Sequence, residues 1–153
     1  MKYNDYLEHL ELREGNEERV YLDSLGKPTC GVGHLLTERE RQVYQVGDEV
    51  SEEQRTAWLE ADAAKAWEAA AQQIEDLGIE DAEFIIVLGS VNFQLGTRWM
   101  DKFPSAYKAL KNKDYDEAIR QVSTGSGKDG QSKWKEQTPV RVEDFVTAID
   151  KLK

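Results

Sequence analysis

Glu14-Gly-Asn-Glu-Glu-Arg-Val-Tyr-Leu-Asp23-Ser-Leu-Gly-Lys-Pro-Thr29-Cys-Gly-Val-Gly-His34 places two carboxylates nine residues apart and a threonine six residues further on. Val20, Tyr21, Thr29, Cys30 and Val32 favour extended backbone, while Asp23-Ser-Leu-Gly26 and Lys27-Pro28 supply turns. Residues 19 to 36 are therefore predicted as two or three short antiparallel strands, with Gly31-Val-Gly33-His34 read as a tight strand. An acid before such a sheet and a second acid within it form a pair suited to cleaving a glycosidic bond. One acid protonates the leaving oxygen, and the other acts on water or on the sugar from the opposite face.

Upstream, Tyr3, Tyr6, Leu7 and Leu10 recur at helical spacing and Gly15 stops the pattern, which predicts a helix over residues 3 to 13. Glu14 then falls at a helix C-terminal end, where the backbone dipole disfavours an anion, a placement that suits a proton donor. Downstream, residues 37 to 46 form a short predicted helix ending at Gly47. Ser51-Glu-Glu-Gln54 is a capping box that opens a long alanine-rich helix to about Leu77. Residues 80 to 95 are the most apolar stretch and are expected as a buried helix. Shorter helices are predicted over 105 to 111, 115 to 122 and 142 to 152. The glycine- and serine-rich segment 124 to 132 is expected as a mobile loop. A small antiparallel sheet followed by helices gives an α+β class, mostly α.

The chain has 153 residues, enough for one domain with a substantial core. Its net charge of −10, from 30 acidic and 20 basic residues, argues against nucleic acid as a partner. No apolar run approaches the ~20 residues of a membrane-spanning helix, so membrane insertion is not expected. The polar, acidic start is not a secretory signal, and the expectation is a protein made in the host cytoplasm and later released to the cell wall. The single cysteine, Cys30, excludes an internal disulfide and is expected as a small buried hydrophobe. With two histidines, His9 and His34, a metal site is not expected, and no cofactor is called for.

These segments together resemble the phage T4-type lysozymes, the endolysins of glycoside hydrolase family 24. The resemblance rests on Glu14, Asp23 and Thr29 at the family's spacing, on Tyr21-Leu-Asp-Ser and Gly31-Val-Gly-His-Leu-Leu-Thr37, and on Asn92-Phe-Gln-Leu-Gly96. Lys113-Asp-Tyr-Asp-Glu-Ala118 and Trp134-Lys-Glu-Gln-Thr-Pro-Val-Arg141 continue it. It runs colinearly along nearly the whole chain. It implies a single two-lobed domain over 1–153: a small sheet lobe at about 15–50, a connecting helix at 51–78, and a helical lobe from 1–14 and 79–153. Three departures stand out: a longer segment at 124 to 132, a shorter one between hairpin and long helix, and an acidic rather than basic balance.

The resemblance implies that Glu14 is the general acid and Asp23 the second carboxylate, positioning water with Thr29 in an inverting reaction. Taken alone, Glu14 is also a solvated helix-end glutamate, Asp23 a turn cap and Thr29 a strand residue. Leu35 and Phe93 match positions lining the family's glycan groove, and both are equally core-packing residue types. Arg141 resembles an arginine that pairs with the catalytic glutamate, and Gln94 with Trp134 resembles a supporting hydrogen-bonded pair. His34 is expected in a structural ion pair, with Asp62 as one possible partner. Trp58, Trp67 and Trp99 are assigned to packing.

Three activities compete on this sequence. The first is an endolysin-type muramidase, acting as a monomer on the glycan strands of bacterial peptidoglycan and lysing the host cell. The second is a lytic transglycosylase, which needs only the glutamate. The third is a non-catalytic peptidoglycan-binding module, against which the intact trio of Glu14, Asp23 and Thr29 argues.

Overall fold

Turn chemistry and helix caps account for most of the element boundaries in the computed structural model, which describes residues 2–153. The first helix, α1 (Lys2–Glu14), closes with the Gly15 amide donating to the Glu11 carbonyl at 2.9 Å. Gly15 takes the left-handed conformation, φ 73°, that terminates helices at low cost. Three strands follow, β1 (Glu17–Leu22), β2 (Pro28–Gly31) and β3 (His34–Leu35), in one antiparallel sheet ordered β1-β2-β3. Tyr21 pairs with Thr29 and Leu22 with Pro28, and a bulge lies between Glu17 and Tyr21. Thr29 pairs on its other side with Leu35, and Cys30 with His34.

The segment from Gly31 to His34 differs from its expected single strand. Val32 and Gly33 form the turn joining β2 to β3. Gly31 and Gly33, at φ 63° and 62°, flank Val32 in the left-handed region that glycine enters without a side-chain clash.

Helix α2 (Glu38–Val43) carries a reciprocal cap: the Thr37 hydroxyl accepts from the Glu40 amide, and the Glu40 carboxylate accepts from the Thr37 amide. Helix α3 (Glu52–Leu77) opens with the Gln54 amide donating to the Ser51 hydroxyl, as the sequence indicates. The remaining helices are α4 (Phe84–Leu95), α5 (Pro104–Lys111), α6 (Tyr115–Ser123), α7 (Lys133–Gln137) and α8 (Pro139–Asp150), with short 3-10 turns at Trp99–Asp101 and Lys128–Gly130. Helix α4 begins four residues later than the apolar run, because the Asp81 carboxylate takes the Glu83 and Phe84 amides in a local turn. Helix α8 begins three residues earlier than expected, because Pro139 occupies its first turn, where a missing N–H costs nothing.

Segment 124–132 is more ordered than its composition suggests. Thr124 bridges Gln131, the Gly127 amide donates to the Gln131 carbonyl, and the Lys128 amide donates to the Glu136 carboxylate. Ser132 closes the loop, donating to the Val122 carbonyl and capping α7 through the Lys135 amide.

The chain divides into two compact units inside α3, with Tyr3–Lys65 in the first and Ala66–Lys153 in the second. Helix α1 thus groups with the sheet. The first unit is built around Val20, Cys30, Leu36, Val50 and Trp58, with Cys30 fully buried as a small apolar group. The second has a larger core in which Trp99, Phe84, Phe145, Leu88 and Leu110 are buried and Phe145 packs against Phe84, Trp99 and Trp134.

A buried polar network lies within this second core. The Gln73 and Asn92 amides exchange two hydrogen bonds of 2.9 and 2.8 Å, and the Trp99 indole N–H donates to Gln73 Oε1. Gln73 also donates to the Thr97 carbonyl and Asn92 to the Leu88 carbonyl, so α3, α4 and the Trp99 turn are pinned in register.

Candidate active site

Glu14 is the last residue of α1, and its side chain is half-buried. Its carboxyl group reaches the β2–β3 turn: a Cβ placed on Gly33 would lie 2.6 Å from Glu14 Oε2 and 3.0 Å from Cδ. Helix end and hairpin turn together therefore set where this carboxyl sits.

Asp23 follows β1 and holds the turn into β2. Its Oδ1 accepts from the Leu25 amide at 2.9 Å and the Lys27 amide at 2.8 Å, while its own amide donates to the Lys27 carbonyl. The turn-capping role is thus real. Both side-chain bonds fall on Oδ1, which leaves Oδ2 able to accept from another donor. Thr29, buried at the centre of β2, donates its hydroxyl to that same Lys27 carbonyl at 3.0 Å. Its oxygen keeps acceptor capacity for a water. The Lys27 residue therefore ties the second carboxylate and the hydroxyl to one short stretch of backbone.

Tyr21, Thr29 and Leu35 form one cross-strand row, so their side chains share a face of the sheet. Leu35 is exposed there, against the usual preference of a leucine. Tyr21 was not singled out from sequence. Burial, followed by the negative charges of Glu14, Glu17 and Asp23, raises its phenol above the ordinary tyrosine value. An aromatic ring opposite Thr29 and close to both acids is visible only once the register is known.

His34 is held between two carboxylates. Nδ1 lies 2.6 Å from Asp62 Oδ2, Nε2 lies 2.8 Å from Glu40 Oε1, and the ring stacks on Trp58 at 4.4 Å. Burial opposes the charged ring, but the two acids outweigh it, and the His34 pKa is raised. The expected Asp62 pairing is present. The Glu40 partner was missed, although Glu40 had a visible place as the third residue of a capping box.

In the second unit, Phe93 lies half-buried on α4. The Trp134 indole donates to Gln94 Oε1 at 3.0 Å, and Gln94 Nε2 donates to the Thr138 hydroxyl, which in turn donates to the Trp134 carbonyl. The expected Gln94–Trp134 pair is thus a three-residue ring closed by Thr138. Arg141 is buried, and its Nη2 donates to the Ser90 carbonyl at 3.1 Å and to the Ser90 hydroxyl at 2.8 Å. Among the described residues no group of three or more His, Cys, Asp or Glu side chains is arranged to hold a metal ion.

The model of the phage lysozyme family, described as "Phage lysozyme", matches residues 11–137, from just before Glu14 through α7. The chain belongs to the phage lysozyme family. It is also similar to the peptidoglycan hydrolase gp36 of Pseudomonas phage phiKMV, at 26% identity over 133 residues. That match covers 87% of this chain and 14% of gp36, so the chain corresponds to a small part of that relative's length. The phage lysozyme match spans the sheet with Glu14, Asp23 and Thr29, and α4 with Phe93 and Gln94, but ends before Arg141.

Proposed function

We propose that this chain is an endolysin-type muramidase, hydrolysing the β-1,4 bond between N-acetylmuramic acid and N-acetylglucosamine in bacterial peptidoglycan. Membership of the phage lysozyme family and the likeness to a phage peptidoglycan hydrolase support the substrate class. One structural observation carries the reaction: the Asp23 carboxylate and the Thr29 hydroxyl are both fixed to Lys27, on the same unit that carries Glu14.

In this reading Glu14 donates a proton to the glycosidic oxygen as the bond to the muramic acid C1 breaks. Asp23 Oδ2 accepts a proton from a water that Thr29 helps to hold, and that water attacks C1 from the opposite face, inverting the anomeric centre. The water's proton ends on Asp23 and the acid's proton on the leaving sugar, so both carboxyls reset by exchange with solvent. Leu35 and Phe93 are the glycan-contacting positions, and Arg141 a supporting one, that the family resemblance implies. The protein acts as a monomer and reaches the wall from the host cytoplasm at lysis.

The test is turbidity loss of outer-membrane-permeabilised bacteria with purified protein, together with mass spectrometry and NMR of the products. The expected products are hydrated reducing ends with inverted configuration. Anhydro-muramic ends would replace hydrolysis with a transglycosylase reaction, and binding without new reducing ends would leave a non-catalytic module.

A further inference from the structure

The contact between Gly33 and Glu14 has a functional meaning that the fold alone does not require. We infer that Gly33 is a positioning residue: the space left by its missing side chain is the seat of the Glu14 carboxyl. The inference rests on the reading of Glu14 as general acid. A Cβ on Gly33 would stand 2.6 Å from Glu14 Oε2, closer than carbon tolerates, and 3.0 Å from Cδ and 3.3 Å from Cγ, both tight contacts. All three atoms belong to a flexible side chain. Glu14 answers an added methyl by swinging away, which removes the acid from its place.

Gly31 provides an internal control. It takes the same backbone conformation, φ 63° against 62°, at the other end of the Val32 turn. The nearest atoms to a Cβ there are Cβ, Cγ and Cα of Arg55 at 3.4 Å or more, which is ordinary contact. Alanine at either position carries the same left-handed penalty, but only alanine at Gly33 collides with the acid.

The experiment compares Gly33→Ala, Gly31→Ala and Glu14→Gln for thermal unfolding and for kcat and KM on soluble peptidoglycan fragments. The two glycine variants should lose similar stability. Gly33→Ala should lose roughly 10–100-fold in kcat, the cost of misplacing a reacting group by about 1 Å, at little change in KM, while Gly31→Ala keeps most of its kcat. Gly33→Ala combined with Glu14→Gln should be no slower than Glu14→Gln alone. Equal kcat in the two alanine variants, or a loss confined to KM, would overturn the seat. Activity retained in Glu14→Gln would instead overturn the reading of Glu14 as the acid, so the two failures are distinguishable. Should Gly33→Ala not fold, the pair Gly33→Asn and Gly31→Asn replaces it, because asparagine tolerates the left-handed region while still carrying a Cβ.

Discussion

At Asp23, structural and chemical demands fall on different atoms of one side chain. Oδ1 holds the turn through the Leu25 and Lys27 amides, and Oδ2 remains for chemistry. Asp23→Asn keeps the Oδ1 acceptor and removes the charge, so lytic activity should collapse while the urea unfolding midpoint barely moves. Asp23→Ala also removes both turn bonds and should cost about 1–2 kcal/mol in the same unfolding measurement. If Asp23→Asn stayed fully active, the residue would be a turn cap and nothing more. Glu14→Gln is the sharper case: an amide of the same shape cannot act as the acid, so lysis should vanish with the fold retained, as circular dichroism would report. Spacing and turn chemistry, which act within about twenty residues of chain, single out Glu14 and Asp23 as an acid pair, and the family resemblance supplies their roles.

Between elements, the His34 cluster binds β3 to α2 and α3 through Glu40 and Asp62. His34 has its pKa raised above the ordinary 6.5, burial being outweighed by the two carboxylates. Its folded value exceeds its unfolded one, so the stabilisation is fully present below about pH 6.5 and is lost as pH rises through the folded value. For Glu40, burial is outweighed by the Thr37 amide and His34, and its pKa is lowered. Its contribution is present above its unfolded value and fades in acid. Unfolding free energy should therefore fall on the alkaline side of this window, and His34→Gln should flatten that fall. An unchanged slope would remove His34 from the pH response. The Gln73–Asn92–Trp99 network makes the same kind of link in the second unit. Gln73→Leu leaves Asn92 Oδ1 and the Trp99 indole N–H without their partner in a buried core, although the Asn92 amide keeps the Leu88 carbonyl, and this should cost roughly 1–3 kcal/mol by urea titration. The His34–Asp62 pair was expected through the family resemblance, but the Glu40 partner and the Gln73 network were not: a glutamine and an asparagine at scattered positions have no periodicity to read.

For the whole molecule, most of the excess negative charge lies on Tyr3–Lys65, the unit that carries Glu14, Asp23 and Thr29. An anionic cell wall repels such a surface at long range, and salt shortens the range to about 8–10 Å near physiological strength. The lytic rate should therefore rise with NaCl from low ionic strength before any decline, and a steady fall from the lowest salt would contradict this.

The sequence by itself determined the α+β class, a small antiparallel sheet of two or three strands, the long α3 helix and the short segment holding the acids. Those depend on hydrophobic period, glycine and aspartate turn chemistry, and caps, all of which act within a few residues. Tertiary structure alone decided that Val32-Gly33 is a turn between two strands rather than part of one, that Gly33 lies against Glu14, and that Tyr21 joins the row of Thr29 and Leu35. It also decided that segment 124–132 is hydrogen-bonded and that Arg141 donates to Ser90. Each of these turns on which distant backbone or side chain arrives opposite a given residue. Packing and strand register set that, and no local pattern encodes it.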